Sequence, residues 1–167
     1  MKNYIIGTLL VIILVLSSVL YKKNETSVGK KFPILEETNN PDIEVPLYLY
    51  VFLKKNNCID CLEFIEVLNH LPSHFKVFGV VPKDELKDED EFRHISGAQF
   101  QLISSPKYRK HTPFYTPSTI GVSPEGDIIF VLPGVPGGKK YLEHFLDTMY
   151  NKIYMIFINE KYSKHGA

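Results

Sequence analysis

Residues 47–72 have the sequence LYLYVFLKKNNCIDCLEFIEVLNHLP, and this segment says more about the fold than any other. Its first part, Leu47 to Leu53, is a continuous apolar run of strand length, as expected for a strand that is buried on both faces. Two cysteines follow, Cys58 and Cys61, spaced as CxxC. Beyond them, apolar residues recur at helical spacing up to Pro72, which ends the pattern. The segment therefore predicts a strand, a CxxC motif and a helix, in that order.

The rest of the chain continues the alternation of strands and helices. Lys76–Val81 is a second buried strand, and the charged segment Asp84–Ile95 predicts an exposed helix that stops at Gly97. The remaining predicted elements are a short strand, the two strands of a hairpin and a final helix, at Phe100–Ile103, Ser118–Val122, Ile128–Leu132 and Lys139–Ile158. A Pro-Glu-Gly-Asp turn between the hairpin strands is typical of such a connection. The order predicts an α/β fold with one mixed β-sheet flanked by helices.

Length and charge narrow the classes of protein to consider. A chain of 167 residues can form one compact domain with its own core. Its 19 Lys and Arg residues balance its 19 Asp and Glu residues, so no net field attracts nucleic acid, and we expect no nucleic-acid partner. Because the chain has only 2 cysteines, it is not a small domain held together by several disulfides.

The N-terminal segment predicts a membrane anchor. Residues Tyr4–Leu20 carry no charge, and as a helix they would be roughly 25 Å long, close to the thickness of the hydrocarbon layer. We therefore divide the chain into an anchor or signal segment (1–21), a polar lead-in with several prolines (22–46) and a folded domain (47–167). A cleaved signal peptide is the alternative, because the apolar run is short for a permanent span and Lys2 gives it a basic start.

The charges around this segment point in two directions. Four lysines follow the apolar segment, Lys22, Lys23, Lys30 and Lys31, and only Lys2 precedes it. The positive-inside rule would therefore keep the domain in the cytoplasm. Single anchors behind a very short N-terminal tail, however, are usually built like signal sequences and export the chain that follows. We expect a membrane-anchored protein whose domain lies on the extracytoplasmic side, in a periplasm or on the outer face of the membrane.

The spacing of Cys58 and Cys61 at the start of a helix indicates thiol chemistry. Unpaired backbone N–H groups and the helix dipole stabilise a thiolate on the first cysteine, and the second lies one turn later, close enough to form a disulfide. Cys58 is therefore the candidate nucleophile, and Cys61 would resolve the mixed disulfide formed with a substrate. Two other interpretations stay open, a structural pair without redox function and half of a zinc site. Zinc would need two further ligands, and His70 lies too far along the same helix, so we expect no metal.

A second motif, Thr116-Pro117-Ser118-Thr119, leads into the hairpin. With strand, CxxC, helix, strand and helix before this motif and a closing helix after it, residues 47–150 resemble the thioredoxin superfamily, specifically its TlpA/ResA-like redoxin branch of membrane-anchored envelope proteins. The resemblance implies a thioredoxin-like fold in which Pro117 is cis and packs against the CxxC motif, while the backbone of Thr116 binds a substrate strand. Pro113, also after a threonine, is the rival for this position. The resemblance further implies that electrons come from another dithiol protein and that the only redox group is the Cys58–Cys61 disulfide, with no organic cofactor.

The sequence departs from the pattern of this family in several places. Asn56-Asn57 replaces the aromatic residue that usually precedes the first cysteine, and Glu66 stands where many members have a proline. The buried acid that assists proton transfer in thioredoxins would fall on Phe52, which cannot transfer a proton. These differences bear on catalytic proficiency more than on the fold.

Charged residues near the motifs are candidate modulators of the chemistry. Asp60, between the cysteines, suits the helix dipole but disfavours a nearby thiolate, which favours a reductant over a strong oxidant. Glu63 could stand in for the helix acid of the envelope branch, although its spacing differs by one residue. The acidic run Asp84–Glu91 is interpreted as a solvated helix face rather than a docking patch. The basic run Lys107–His111 is interpreted as exposed surface, with a position beside the active site as the alternative.

The sequence thus predicts a membrane-tethered thiol-disulfide oxidoreductase that reduces protein disulfides through its CxxC dithiol. Its partners would be protein thiols and disulfides, together with an electron-donor dithiol protein. The alternative is a thioredoxin-fold binding or scaffold module of a membrane complex, without redox activity. A peroxiredoxin-like peroxidase is disfavoured, because the peroxidatic cysteine of that family lies in a different local motif.

Overall fold

A computed structural model of the protein describes residues 12–13, 27–35, 47–55, 59–104, 106–113, 115–135 and 137–165. The strands are β1 Leu47–Phe52, β2 Phe75–Val80, β3 Gln101–Ile103, β4 Ser118–Val122 and β5 Ile128–Pro133. The helices are α1 Ile59–Asn69, α2 Glu89–Ser96 and α3 Lys139–His165. Two 3₁₀ turns, Glu85–Asp88 and Pro106–His111, precede α2 and β4 respectively.

The strands form one five-stranded sheet in the order β3-β2-β1-β4-β5. β1, β2 and β3 are parallel, whereas β4 is antiparallel to both β1 and β5. Parallel neighbours need a crossover connection, which α1 supplies between β1 and β2 and α2 supplies between β2 and β3. The mixed sheet predicted from the sequence is therefore confirmed.

One face of the sheet packs against α1 and α3. Successive side chains of a strand point to opposite faces, so alternate residues of β1 reach this side. The buried core here combines residues of the central strand and of both helices: Leu49, Val51, Phe64, Leu68, Leu142 and Leu146. Each such side chain contributes about 1.5–3 kcal/mol when it is fully buried. The helix that begins directly after Cys58 is therefore held in place mainly by its apolar face.

The other face of the sheet carries a core that is rich in aromatic side chains. Tyr48, Tyr50 and Phe52 of β1 lie there together with Tyr108 from the second 3₁₀ turn and with Phe32. The ring of Phe32 has its centroid 4.5 Å from that of Tyr50 and 5.5 Å from that of Tyr108. Between them the two cores bury every residue of β1, as its continuous apolar run predicts.

Residues 27–35 pack onto the domain, although they belong to the predicted lead-in. Phe32 is 3% exposed, and its backbone N–H donates to the carbonyl of Gly126 at 2.8 Å. Lys31 forms an antiparallel bridge with Asp127 in the same turn. The packed unit therefore begins before β1. The sequence does not reveal this, because one buried aromatic residue and a few backbone bonds produce no periodic pattern.

Element boundaries agree with the local sequence signals. α2 ends at Ser96 and is capped by Gly97, whose φ of 71° is the left-handed conformation that glycine adopts readily. The N–H of Gly97 donates to the carbonyl of Arg93. Gly126 occupies the tight turn between β4 and β5 with a φ of 85°. The predicted helix Asp84–Ile95 consists of a 3₁₀ turn followed by α2, and α3 continues beyond its predicted end.

The predicted membrane anchor, Tyr4–Leu20, lies outside the described residues apart from Ile12 and Ile13, which are helical. Within the described ranges, no helix combines the length and the apolar character that crossing a bilayer requires. The anchor stays a prediction.

Candidate active site

The CxxC motif lies where the chain passes from β1 to α1. α1 begins at Ile59, so Asp60 and Cys61 are in its first turn, where backbone N–H groups lack intrahelical acceptors and the dipole favours negative charge. Cys58 lies outside the described residues, as do the side chains of Asp60 and Cys61. The helical setting of the motif is thus known, and the chemical roles of these three residues stay predictions.

Thr116 and Pro117 lie close to the C-terminal end of β1. Ser118, the first residue of β4, pairs with Phe52, the last residue of β1. The peptide bond between Thr116 and Pro117 is cis, as the resemblance implies. Pro117 is buried and Thr116 is half-buried. The segments that carry the two sequence motifs, which are far apart in the chain, therefore meet at one end of the sheet.

The connection between β5 and α3 borders the same region. The backbone N–H of Gly134 donates to the carbonyl of Pro117 at 2.8 Å. Directly beyond Gly134, a groove of about 250 Å³ runs between α1 and the start of α3. It is lined by apolar residues, by glycines and by two exposed charged residues: Phe64, Val67, Val135, Leu142, Gly137, Gly138, Glu63 and Lys139. The predicted modulator Glu63 is thus part of an apolar groove on the flank of the CxxC helix.

Two hydroxyl groups are buried beside Pro117. Oγ of Ser118 donates to the carbonyl of Tyr115. Thr119 is 1% exposed, and its Oγ1 has no hydrogen-bond partner within the described part of the chain. Because Thr119 pairs with Val51, it faces the side of the sheet that α1 covers. The sequence gives no sign of this unpartnered hydroxyl, since threonine is a common strand residue.

The position that the resemblance assigns to the buried acid lies on the face of the sheet away from α1. Phe52 belongs to the aromatic core on that face. The residues at the end of β1 that face α1 are Val51 and Leu53, and both are buried and apolar. This part of the chain therefore presents no proton-transferring side chain to α1, whichever residue is taken as the counterpart of the acid.

Two carboxylates of the acidic run Asp84–Glu91 bind Lys55, which lies shortly before the CxxC motif. Oε2 of Glu85 accepts a hydrogen bond from the backbone N–H of Lys55 at 2.6 Å. Oε2 of Glu91 lies 2.5 Å from Nζ of the same lysine. The interpretation of this run as a solvated helix face is wrong for Glu85, which is half-buried. Local spacing could not reveal these contacts, because they join residues that are far apart in the chain.

The basic run lies on the face of the sheet opposite α1. Tyr108, in the middle of the run, is 1% exposed and packs with Phe32 in the aromatic core. Lys107 and Lys110 are exposed. The run thus flanks the aromatic core rather than α1.

Burial raises the pKa of two tyrosines in the aromatic core. The pKa of Tyr50 rises because its ring is buried and because Tyr108 lies beside it, and burial also raises the pKa of Tyr108. Both hydroxyls therefore stay protonated at neutral pH. They lie across the sheet from α1, in the aromatic core.

The described side chains form no metal site. Within the described ranges, no three His, Cys, Asp or Glu residues come together as ligands would. Because the thiols of Cys58 and Cys61 lie outside those ranges, the absence of a metal at the motif stays a prediction.

Comparison with known proteins finds similarity in structure. No family model matches the chain, and no curated protein matches it. The solved structure of a candidate thiol:disulfide interchange protein, DsbE from Chlorobium tepidum, has a TM-score of 0.57 at 18% identity, over 74% of this chain and 97% of that one. A candidate thioredoxin from Neisseria meningitidis has a TM-score of 0.53 at 18% identity, over 75% of this chain and 90% of that one. A thiol:disulfide interchange protein from Bacteroides sp. has a TM-score of 0.50 at 17% identity, over 74% of this chain and 92% of that one.

These similarities concern the fold. They span nearly the whole of each compared protein, and the described strands and helices occur in the order that the resemblance predicts. The chain therefore has the thioredoxin fold. One fold can support several functions, so the activity has to be argued from the site.

Proposed function

We propose that this protein is a membrane-tethered thiol-disulfide oxidoreductase that reduces disulfides of other proteins through Cys58 and Cys61. The observation that carries the proposal is the pairing of Phe52 with Ser118. Through this pair, the strand that leads to the CxxC motif lies beside the strand that follows Thr116-Pro117. The same arrangement would let one substrate segment contact both motifs.

The proposed reaction has two exchange steps. The Cys58 thiolate attacks one sulfur of a substrate disulfide, so that a mixed disulfide forms and the other substrate sulfur leaves as a thiolate, which takes up a proton. The Cys61 thiolate then attacks the Cys58 sulfur, which forms the Cys58–Cys61 disulfide and releases the second substrate sulfur. Two electrons have then passed to the substrate. A donor dithiol protein returns two electrons to the pair before the next cycle, and no metal or organic cofactor takes part.

The surroundings of the motif suit a reductant. The first turn of α1 would stabilise a thiolate, and a stabilised thiolate favours the dithiol form over the disulfide. The negative charge of Asp60 opposes this stabilisation. The dithiol form is then less favoured, and the pair gives up its electrons more readily. The backbone of Thr116 would bind an extended substrate segment beside the disulfide. The groove next to Glu63 would take an apolar side chain of the substrate, because small pockets with apolar walls and few polar groups bind such side chains.

A redox titration of the full-length protein in detergent tests the proposal. In glutathione buffers we expect one reversible transition in which both thiols become protected from alkylation, at a potential of about −200 to −270 mV. The wild-type protein should also catalyse the reduction of insulin disulfides. The Cys58→Ser variant should lose both properties. A wild-type protein that forms no reversible Cys58–Cys61 disulfide would contradict the proposal.

The substrates can be captured with a second variant. In Cys61→Ser, the mixed disulfide on Cys58 cannot be resolved, so protein substrates should stay covalently attached. Release of the captured proteins by dithiothreitol, and their absence from Cys58→Ser, would show that the bond is the expected mixed disulfide.

The second candidate function is a binding or scaffold module without redox activity. It is favoured by the apolar end of β1, where Val51, Phe52 and Leu53 provide no acid for proton transfer. The two functions differ in their need for the thiol. Cells that carry Cys58→Ser in place of the wild-type gene should behave like a deletion strain if the protein is an oxidoreductase, and like the wild type if it is a scaffold.

A further inference from the structure

Lys55 is the last described residue before the CxxC motif, and it is held at both its backbone and its side chain. Its backbone N–H donates to Oε2 of Glu85 at 2.6 Å. Its Nζ lies 2.5 Å from Oε2 of Glu91. The N–H of Leu53, two positions earlier, still donates to the carbonyl of Val80 in the sheet. The carboxylate of Glu85 thus continues the anchoring of the chain after β1 has ended.

Glu85 is itself held in a turn that closely follows β2. It begins the 3₁₀ turn that follows β2, and the backbone N–H groups of Glu85 and Leu86 both donate to the carbonyl of Pro82, at 3.1 and 3.0 Å. The side chain of Glu85 is half-buried, so its bond to the N–H of Lys55 is partly shielded from water. A hydrogen bond from an N–H group to an ionised carboxylate is among the stronger kinds in proteins.

The contact of Glu91 with Lys55 is weaker than that of Glu85. The side chains of Lys55 and Glu91 are 38% and 48% exposed. Ion pairs as exposed as this one contribute little, because water and salt screen them and both side chains lose freedom. The restraint on the backbone of Lys55 therefore comes mainly from Glu85.

We propose that Glu85 is a positioning residue for the oxidoreductase reaction, on which this role depends. Its carboxylate fixes the backbone at Lys55, and the start of α1 fixes Ile59. These two points are the ends of the short segment that carries Cys58, so the restraint at Lys55 limits the positions that the attacking sulfur can take. Misplacing a reacting group by about 1 Å can lower a rate by about 100-fold.

Two substitutions at Glu85 separate the position of its acceptor oxygen from the charge of its carboxylate. Glu85→Gln keeps an acceptor oxygen at the same distance and removes the charge. Glu85→Asp keeps the charge and withdraws the oxygen by one methylene group. The matched control is Asp90→Ala, which removes a charge from an exposed position on α2.

The experiment measures the reduction of insulin disulfides by each full-length variant in detergent, under single-turnover conditions from the dithiol form. We expect Glu85→Asp to lower the rate constant about 10-fold or more, because the acceptor no longer reaches Lys55. Glu85→Gln should stay within about twofold of the wild type, as a neutral acceptor still bonds the N–H. Asp90→Ala should not change the rate. The apparent affinity for insulin should be the same in all four proteins, and each should be fully folded in the absence of denaturant, which excludes a loss of substrate binding or of folding as the cause.

The opposite pattern overturns the role. If Glu85→Asp reduces insulin as fast as the wild type, the bond to Lys55 does not position the thiol. If Glu85→Gln loses as much activity as Glu85→Asp, a neutral acceptor at the same distance does not preserve the rate, and the bond to the N–H of Lys55 does not by itself explain the role. A wild-type protein without a reversible Cys58–Cys61 disulfide overturns both this role and the proposed function, whereas a redox-active wild type with unaffected Glu85 variants overturns this role alone.

Discussion

The hydroxyl of Thr119 is the polar group in the candidate site with the clearest energetic consequence. It is buried under α1 and has no partner within the described part of the chain. A hydroxyl that is taken out of water without a new hydrogen bond costs about 1–3 kcal/mol. Ser118, its neighbour, avoids this cost because its Oγ donates to the carbonyl of Tyr115.

The substitution Thr119→Val should therefore stabilise the protein. Valine has nearly the same shape and no hydroxyl, so we expect the free energy of unfolding to rise by about 1 kcal/mol. Urea unfolding of a form that begins at residue 22 would measure this change. Ser118→Ala is the control, and it should lower the free energy of unfolding by about 1 kcal/mol, because it removes a bonded hydroxyl. A loss of stability in Thr119→Val would mean that its hydroxyl does have a partner.

His74 provides a separate prediction about pH. Its ring stacks on that of Tyr150, with the centroids 3.9 Å apart, and its Nε2 is buried without a hydrogen-bond partner in the described structure. Burial lowers the pKa of His74 below its usual value of 6.5, and the charge of Asp147 opposes this shift only in part. Below pH 6.5 the unfolded chain therefore binds a proton that the folded chain resists, so the contribution of His74 to stability is lost as the pH falls.

We expect His74→Phe to flatten this dependence. The phenyl ring keeps the stacking on Tyr150 and cannot take up a proton. Between pH 7.5 and about 5, the free energy of unfolding should therefore fall less in His74→Phe than in the wild type. Urea unfolding at a series of pH values would show the difference in slope, and His94→Gln, at an exposed position, serves as the control for the loss of a histidine. Equal slopes in His74→Phe and the wild type would show that His74 titrates alike in the folded and unfolded chains.

The segment 27–35 is an element that the sequence assigns to the lead-in and that the structure packs onto the domain. Its main contact is the ring of Phe32 in the aromatic core. Phe32→Ala should lower the free energy of unfolding by about 3–5 kcal/mol, as is usual for a fully buried phenylalanine. Val28→Ala in the same segment is the control, since Val28 is 67% exposed and its loss should cost no more than about 0.5 kcal/mol. If the two variants unfold alike in urea, the segment is not part of the cooperatively folded unit.

The elements that could be predicted from the sequence are those with a local pattern. β1 is a uniform apolar run, the residues of α1 recur at helical spacing, and the β4–β5 hairpin has a glycine turn, so each lies close to its predicted position. The order of these elements, together with the two motifs, was enough to predict the thioredoxin fold. The contact of Glu85 with Lys55 and the burial of Phe32 have no such signal. They depend on which distant segments the fold brings together, and that becomes visible only in three dimensions.

In the whole molecule, the bridge that Lys31 forms and the candidate site lie at opposite ends of the sheet. Lys31 bridges to Asp127, in the turn that follows the end of β4, whereas the pair of Phe52 with Ser118 lies at the start of β4. β1 has 6 residues, so the two ends are about 20 Å apart. A membrane anchor in residues 1–21 would therefore hold the domain by the end that is remote from the CxxC motif.

If the domain is tethered to a membrane as proposed, the side on which it lies would decide how a Cys58–Cys61 dithiol is maintained. The lysines after the predicted anchor favour the cytoplasm, whereas an anchor that is built like a signal sequence favours export. We expect export. Disulfides persist in an extracytoplasmic compartment, so a reductase there depends on electrons that are carried across the membrane to a donor dithiol.

Labelling of the cysteines tests this location, because the 2 cysteines of the sequence are those of the CxxC motif. Intact cells with a permeabilised outer layer are treated with a mild reductant and then with a membrane-impermeant maleimide. If the domain is exported, the maleimide should label Cys58 and Cys61 without lysis of the inner membrane, and a variant with both cysteines replaced by serine should remain unlabelled. Labelling that appears only after lysis would place the domain in the cytoplasm. There the pair would meet reducing thiols directly, and a supply of electrons from across the membrane would not be needed.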